Sequence, residues 1–264
     1  MRLELLFTVL VLMSRILCDD QLTGQCSSDT CDMAFRVILA GATGETGRLV
    51  LDNLLKDDRI SKVTTLGRRE SKIQNDKLDH KIVDFDNLPE EAFNDHDVAI
   101  CTLGTTRAKS GKDGFIKVDK TYVMSFAEKS KAAGVKQFHM MSSQGANANS
   151  YFLYTQVKGE VDDKILGMGF ERSVVYRPAV LLVKRQEGRM AEKAAQWVLG
   201  WADYSRGMSI PIKDVADSIV GSIFDDAAGI IDNRSIIAKA AALKVPVEEE
   251  AAAEEVPAEK ADAS

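Results

Sequence analysis

Cysteine is scarce through most of this 264-residue chain. Cys18, Cys26 and Cys31 fall within the first 32 residues, and only Cys101 follows, inside an apolar run. A secreted fold that depends on disulfides spreads its cysteines through its body, so residues 33 onward read as a domain of a reducing compartment. Histidine is scarcer still: His80, His96 and His139 share no ligand spacing, which predicts satisfied imidazoles and no metal site. Leu5–Met13, interrupted by Thr8, is a nine-residue apolar run, too short to span a bilayer. Lys and Arg do not gather into the one-sided cluster that a nucleic-acid surface requires.

The formal net charge of −6 sits in the appendages. Residues 247–264 carry seven acids and one lysine, and residues 1–32 carry five acids and two arginines, which leaves 33–246 at +3. Residues 241–264, with "EEEAAAEEVPAEKADAS", hold too little apolar surface to pack and are expected to be disordered. Residues 1–32 have two readings. The run Leu5–Met13 has signal-peptide length, but Glu4 offsets Arg2 and bulky Ile16 stands where a small residue is wanted before a cut after Cys18. The preferred reading is an alternative start, with translation from Met33 and a functional protein that does without the leader.

From Phe35 the pattern alternates. Strands are expected at Phe35–Leu39, Lys62–Leu66, Lys81–Phe85, Val98–Leu103, Val135–Met141 and Ser173–Arg177. Helices are expected at Arg48–Lys56, Phe115–Ala133 and Tyr151–Leu166. Strands alternating with helices predict right-handed crossovers and an α/β fold with a doubly wound parallel sheet of the Rossmann type over 33–240. A small C-terminal cap is expected at about 181–238.

Ligands in such a sheet collect at the carboxyl ends of the strands. Gly41-x-x-Gly44-x-x-Gly47 lies between the first strand and the first helix, where glycines admit a tight turn and helix N–H groups face a pyrophosphate. A plain strand-to-helix turn is the bland alternative. Where NAD binders place an acid after the second strand, this chain has Gly67-Arg68-Arg69. Two guanidiniums suit a 2′-phosphate, which predicts NADP(H); a solvated basic turn is the alternative. Tyr154-x-x-x-Lys158 puts phenol and ammonium on one helix face, where the lysine favours the phenolate and proton exchange with a carbonyl oxygen. Ser143, with Ser142 as near alternative, ends the fifth strand and would orient that oxygen. Leu103-Gly104 leaves the fourth strand along the cofactor, and Arg107, Lys109 and Lys112 read as a flexible basic flap. Arg189 follows the sixth strand and either reaches a phosphate or lies in an ordinary loop.

In order and spacing, "ILAGATGETG", "TLGRR", "TLGTTRAKSGKDGFIKVD", "SSQGA", "FLYTQVKGEV" and "YRPAVLLVKRQEGR" resemble the Tat-interacting oxidoreductases, an atypical branch of the short-chain dehydrogenase/reductases, over about residues 35–225. The resemblance implies an NADPH-binding domain with cofactor contacts on Thr43, Gly44, Glu45, Thr46, Arg68, Arg69, Leu103, Gly104, Lys158, Leu181 and Arg189, and with Tyr154 as proton donor. It also implies a cytoplasmic protein, reaching to the nuclear periphery, that associates with nuclear-transport receptors. Two functions follow as expectations: an NADPH-dependent reductase of a small-molecule carbonyl using Ser143, Tyr154 and Lys158, or an NADPH-sensing regulator with little turnover.

Overall fold

A computed structural model describes residues 34–105, 107–182 and 209–244. The leader, the acidic residues from 245 on, and the stretch 183–208 that includes Arg189 lie outside the described residues. Among the described residues the elements run β1 (Phe35–Ala40), α1 (Glu45–Lys56), β2 (Ile60–Gly67), β3 (Leu78–Ile82), β4 (Val98–Cys101), α2 (Arg107–Ile116), a π-helical segment Lys117–Tyr122, α3 (Val123–Ala132), β5 (Gln137–Met141), α4 (Leu153–Leu166), β6 (Arg172–Arg177), β7 (Val180–Leu182), β8 (Ser209–Pro211), α5 (Ile212–Gly221), β9 (Gly229–Asp232) and α6 (Asn233–Ala242).

Seven of these strands form one parallel sheet in the order β3-β2-β1-β4-β5-β6-β9. The order reverses between β1 and β4, the switch point where this architecture opens a crevice for ligands. A sheet covered on both faces needs near-continuous apolar strands, and β4, Val-Ala-Ile-Cys, is buried throughout. Side chains of β1 divide by the period of two: Ile38 and Ala40 join one core with Phe126, Phe138, Val161 and Ile165, whereas Val37 and Leu39 join the other with Leu51, Leu54, Val215 and Ile219. The doubly wound architecture expected from the sequence is therefore present.

Three local expectations are corrected. The third strand lies at Leu78–Ile82, not Lys81–Phe85, because Val83 and Phe85 are apolar for the core rather than for strand pairing. The expected flap is helical: Arg107–Ile116 forms α2, broken at Gly111, whose φ is +70°. Within the stretch read as a cap, β9 is the seventh strand of the main sheet, and α5 and α6 contribute Ile219 and Ile236 to one of its two cores. The strands β7 and β8 pair separately, in parallel, with Leu181 opposite Ile210.

Candidate active site

The turn after β1 is built by close approach. Gly41 has φ +93°, and a Cβ there would meet the backbone and hydroxyl of Thr102 at 2.7–2.8 Å. A Cβ on Gly47 would lie 2.1 Å from the Gly41 carbonyl oxygen. Thr102, just past β4, donates its hydroxyl to the Ala40 carbonyl at 3.0 Å and so fills the space that both glycines vacate. Gly44 differs: it is exposed, its φ is negative, and the nearest contact to a Cβ is 3.3 Å away. It caps α1 without any side-chain hydrogen bond, so the first-turn N–H groups of Glu45 and Thr46 keep their capacity for an anion. Thr43 and Glu45 are exposed beside it, while Thr46 is buried. This cradle fits a dinucleotide pyrophosphate.

Arg68 and Arg69 follow Gly67 at the end of β2, both exposed, and neither forms an ion pair among the described residues. From β3, His80 reaches across to this turn: Nδ1 lies 2.8 Å from the Thr65 hydroxyl and Nε2 lies 2.8 Å from the Arg69 carbonyl oxygen. His96 bonds Thr64 and the Phe93 carbonyl, and His139 bonds the Tyr176 hydroxyl at 2.9 Å. Burial holds His139 neutral, its pKa pulled down to about 3. All three histidines are satisfied, as expected, and no group of His, Cys, Asp and Glu able to hold a metal occurs among the described residues.

Leu103 packs on the core and Gly104 is exposed, so this segment runs from β4 onto the surface at the switch point. The next amide, Thr105 N–H, donates to Asp119 Oδ2 at 2.8 Å. The other oxygen of Asp119 lies 2.7 Å from Lys158 Nζ, and both side chains are buried. Asp119 is the principal residue that sequence reasoning missed. It sits in the π-helical segment, whose wider turn directs it inward, and "KVDKTY" reads locally as a solvated charged face.

Lys158 occupies α4 one turn beyond Tyr154, and Asp162 follows one turn later, so the three share a face. Burial works against the Lys158 ammonium, but Asp119 and Tyr154 outweigh it and raise its pKa above the ordinary lysine value. An ammonium has three donors, so the bond to Asp119 leaves two for a ribose or a phenolate oxygen. Tyr154 is 44% exposed and stacks on Phe115 with ring centroids 5.4 Å apart. At the end of β5, the hydroxyls of Ser142 and Ser143 are both buried and without a hydrogen-bond partner among the described residues. Such a hydroxyl is uncommon in a finished core and suits a ligand oxygen. Ser142 lies close enough to Asp162 to favour its charged form, short of a well-aligned hydrogen bond. Burial nonetheless raises the Asp162 carboxyl, against the pull of Ser142 and of Arg177, whose Nε is 2.8 Å away. Gly159 lets the loop after β5 dock on this helix: a Cβ there would sit 2.1 Å from the Ala148 nitrogen. Leu181 is half-buried in β7, against the core.

The glycine cradle, the arginine turn and the Tyr-Lys helix stand at the carboxyl edge of a doubly wound parallel sheet, the architecture of an NAD(P)-binding protein of the Rossmann class. The sequence model for NAD(P)H-binding proteins matches residues 41–226, and the chain belongs to that family. Its similarity to rat protein HTATIP2 is 40% identity over 214 residues, covering 76% of this chain and 87% of that protein. The mitochondrial protein FMP52 of Candida albicans is 33% identical over 200 residues, covering 72% of this chain and 86% of its own length. Among solved structures, the oxidoreductase ylbE of Lactococcus lactis superimposes with a TM-score of 0.58 at 18% identity, covering 79% of this chain and 96% of that one. A UDP-glucuronic acid 4-epimerase of Bacillus cereus, solved with UDP-glucuronic acid and NAD, gives 0.58 at 15% identity over 75% of this chain and 76% of that one. The resemblance to the Tat-interacting oxidoreductases read from the motifs holds. No helix among the described residues is long and apolar enough to cross a membrane.

Proposed function

We propose that this protein is an NADP(H)-dependent reductase of a small-molecule carbonyl, with Tyr154 as proton donor. The observation that carries the reading is the buried Lys158 ammonium, held charged by Asp119 one helical turn from Tyr154. NADPH, when bound, supplies the hydride to the carbonyl carbon. The electron pair of the C=O bond moves to oxygen, and that oxygen takes the phenolic proton of Tyr154. The positive charge of Lys158 stabilises the tyrosinate left behind, and its remaining donors suit the ribose hydroxyls. Ser143 donates to the substrate oxygen, a role that fits a buried hydroxyl with no partner among the described residues. Gly41, Gly44 and Gly47 with the start of α1 hold the pyrophosphate, Leu103 and Gly104 line the cofactor, and Arg68 and Arg69 clamp the 2′-phosphate. Arg189 and Leu181 complete the contact set implied by the resemblance, Arg189 lying outside the described residues.

The test is turnover with a panel of aldehydes, ketones and quinones at fixed NADPH. Tyr154→Phe should lower kcat by about 10²–10⁴-fold on every carbonyl that the unaltered protein reduces, with NADPH binding retained. Unchanged kcat in that variant overturns the reading.

One observation favours a second reading, an NADPH-sensing regulator that binds nuclear-transport or transcription-related proteins. Tyr151 and Phe152 are both strongly exposed at the entrance to the Tyr154 helix, an uncommon use of two adjacent aromatics unless something docks there. Wild-type protein that binds NADPH yet reduces none of the panel, and whose partner capture depends on NADPH, would favour the regulator.

A further inference from the structure

Two exposed arginines do not by themselves make a phosphate clamp. Each carries about 2 kcal/mol of rotamer entropy and hangs from a turn, so the backbone of that turn must be held for both guanidiniums to converge. The segment after β2 has no helix or strand of its own until β3, and residues 68 and 69 form only a bend. What holds it comes from the neighbouring strand. His80 stands directly opposite Thr65 in the β2–β3 register. Its ring bridges the Thr65 hydroxyl, buried inside β2, and the main-chain carbonyl of Arg69, each at 2.8 Å. A carbonyl only accepts, so Nε2 carries the proton that bonds Arg69, and the neutral ring's Nδ1 accepts from Thr65. The bridge needs space at Gly67, where a Cβ would lie 2.7 Å from the ring carbon Cε1. Glycine at 67, threonine at 65 and histidine at 80 therefore form one device, and its output is the position of the Arg68–Arg69 backbone.

We propose that His80 is a positioning residue for cofactor choice: by tying the Arg69 carbonyl to β2, it presents both guanidiniums to a 2′-phosphate and so sets the preference for NADPH over NADH. The inference rests on the reading of this turn as a 2′-phosphate site. His80 itself touches no cofactor; it acts through the turn. Its removal should therefore weaken NADPH and leave NADH, which has no 2′-phosphate, nearly untouched. A merely structural histidine would weaken both alike.

The experiment is equilibrium binding of NADPH and NADH, by nucleotide fluorescence, to the full-length protein and four variants. Arg68→Ala/Arg69→Ala tests the underlying reading and should bring the two affinities together. His80→Ala should raise the NADPH Kd by about tenfold while the NADH Kd stays within about twofold. His80→Gln, whose side-chain amide can still donate to the Arg69 carbonyl, should recover part of the preference. Thr65→Val leaves the ring in place but removes its anchor, and should raise the NADPH Kd by a smaller factor. Retained NADH binding certifies a folded variant. If the arginine variant leaves the NADPH preference intact, the 2′-phosphate reading fails and this inference with it. If the arginine variant abolishes the preference while both His80→Ala and Thr65→Val keep it, the phosphate reading stands and the role of His80 is overturned. Equal weakening of both nucleotides by His80→Ala also overturns it.

Discussion

Lys158 Nζ lies 2.7 Å from Asp119 Oδ1, with 8% and 1% of the two side chains exposed. The pair joins α4 to the π-helical segment before α3, and the second Asp119 oxygen binds the Thr105 amide, so one carboxylate ties the Tyr-Lys helix to the loop that leaves β4. A buried ion pair is not necessarily more stable than apolar side chains of its size, but breaking one half of it strands the other charge.

Asp119→Asn should therefore cost about 3–5 kcal/mol, read as a lower urea midpoint. Adding Lys158→Met should restore part of that loss, because the stranded ammonium is gone. The pH dependence has a definite sign. Lys158 has a folded pKa above 10.5, so its contribution is complete below that pH and is lost only as pH rises through the folded value. In Asp119→Asn the desolvated Lys158 loses the partner that outweighs burial, so its pKa falls, and the stability gap to the wild type should narrow as pH rises towards the ordinary lysine value.

Gly44→Ala and Gly47→Ala should fail differently. A Cβ at 47 would overlap the Gly41 carbonyl, so the backbone must move and stability should fall by about 1–3 kcal/mol or more. At 44 the backbone already suits alanine, with φ −76°, and thermal stability should change by less than about 1 kcal/mol. On the proposed cofactor site the added methyl would stand in the path of the pyrophosphate, and NADPH affinity should drop by about tenfold or more. Thermal melts and nucleotide titration separate the two.

Ser143→Ala removes a buried hydroxyl that has no partner among the described residues. Deleting such a group is neutral or stabilising, so the melting temperature should hold or rise. If Ser143 orients the substrate oxygen, kcat should fall by about 10²-fold in the same variant. A melting temperature that falls along with kcat would show that the serine serves the fold instead.

Cys101 closes β4 and is fully buried, which pushes its thiol pKa up to about 12. Alkylation by iodoacetamide should spare Cys101 in the native protein, with no acceleration between about pH 6 and pH 9, and reach it only on unfolding. Peptide mass spectrometry with and without urea checks this.

Much of the site was readable because its parts are local. The strand, glycine loop and helix at 35–56 form one continuous signal, and the spacing of Tyr154 and Lys158 is one helical turn. Legibility ended where burial contradicts local chemistry. Leu78–Ile82 is a half-exposed edge strand whose sequence, Leu-Asp-His-Lys-Ile, alternates weakly, so the apolar run beside it drew the assignment three residues too far. Gly229–Asp232 is only four residues long and partly exposed at the sheet's other edge, which left it unmarked. Asp119 lies among lysines in "KVDKTY", and nothing within that window says that it alone turns inward.

Periodicity and glycine spacing by themselves determined the doubly wound sheet, the glycine loop between β1 and α1 and the helix face that bears Tyr154, because these depend on residues within a few positions of one another. Only the tertiary structure decided the partners of the charges: Asp119 with Lys158 across 39 positions, Arg177 with Asp162, and His80 with Thr65 and the Arg69 carbonyl. The physical reason is range. Hydrophobic and conformational preferences act along the chain, whereas a buried charge or hydrogen-bonding ring is satisfied by whichever group the packed fold brings within about 3 Å.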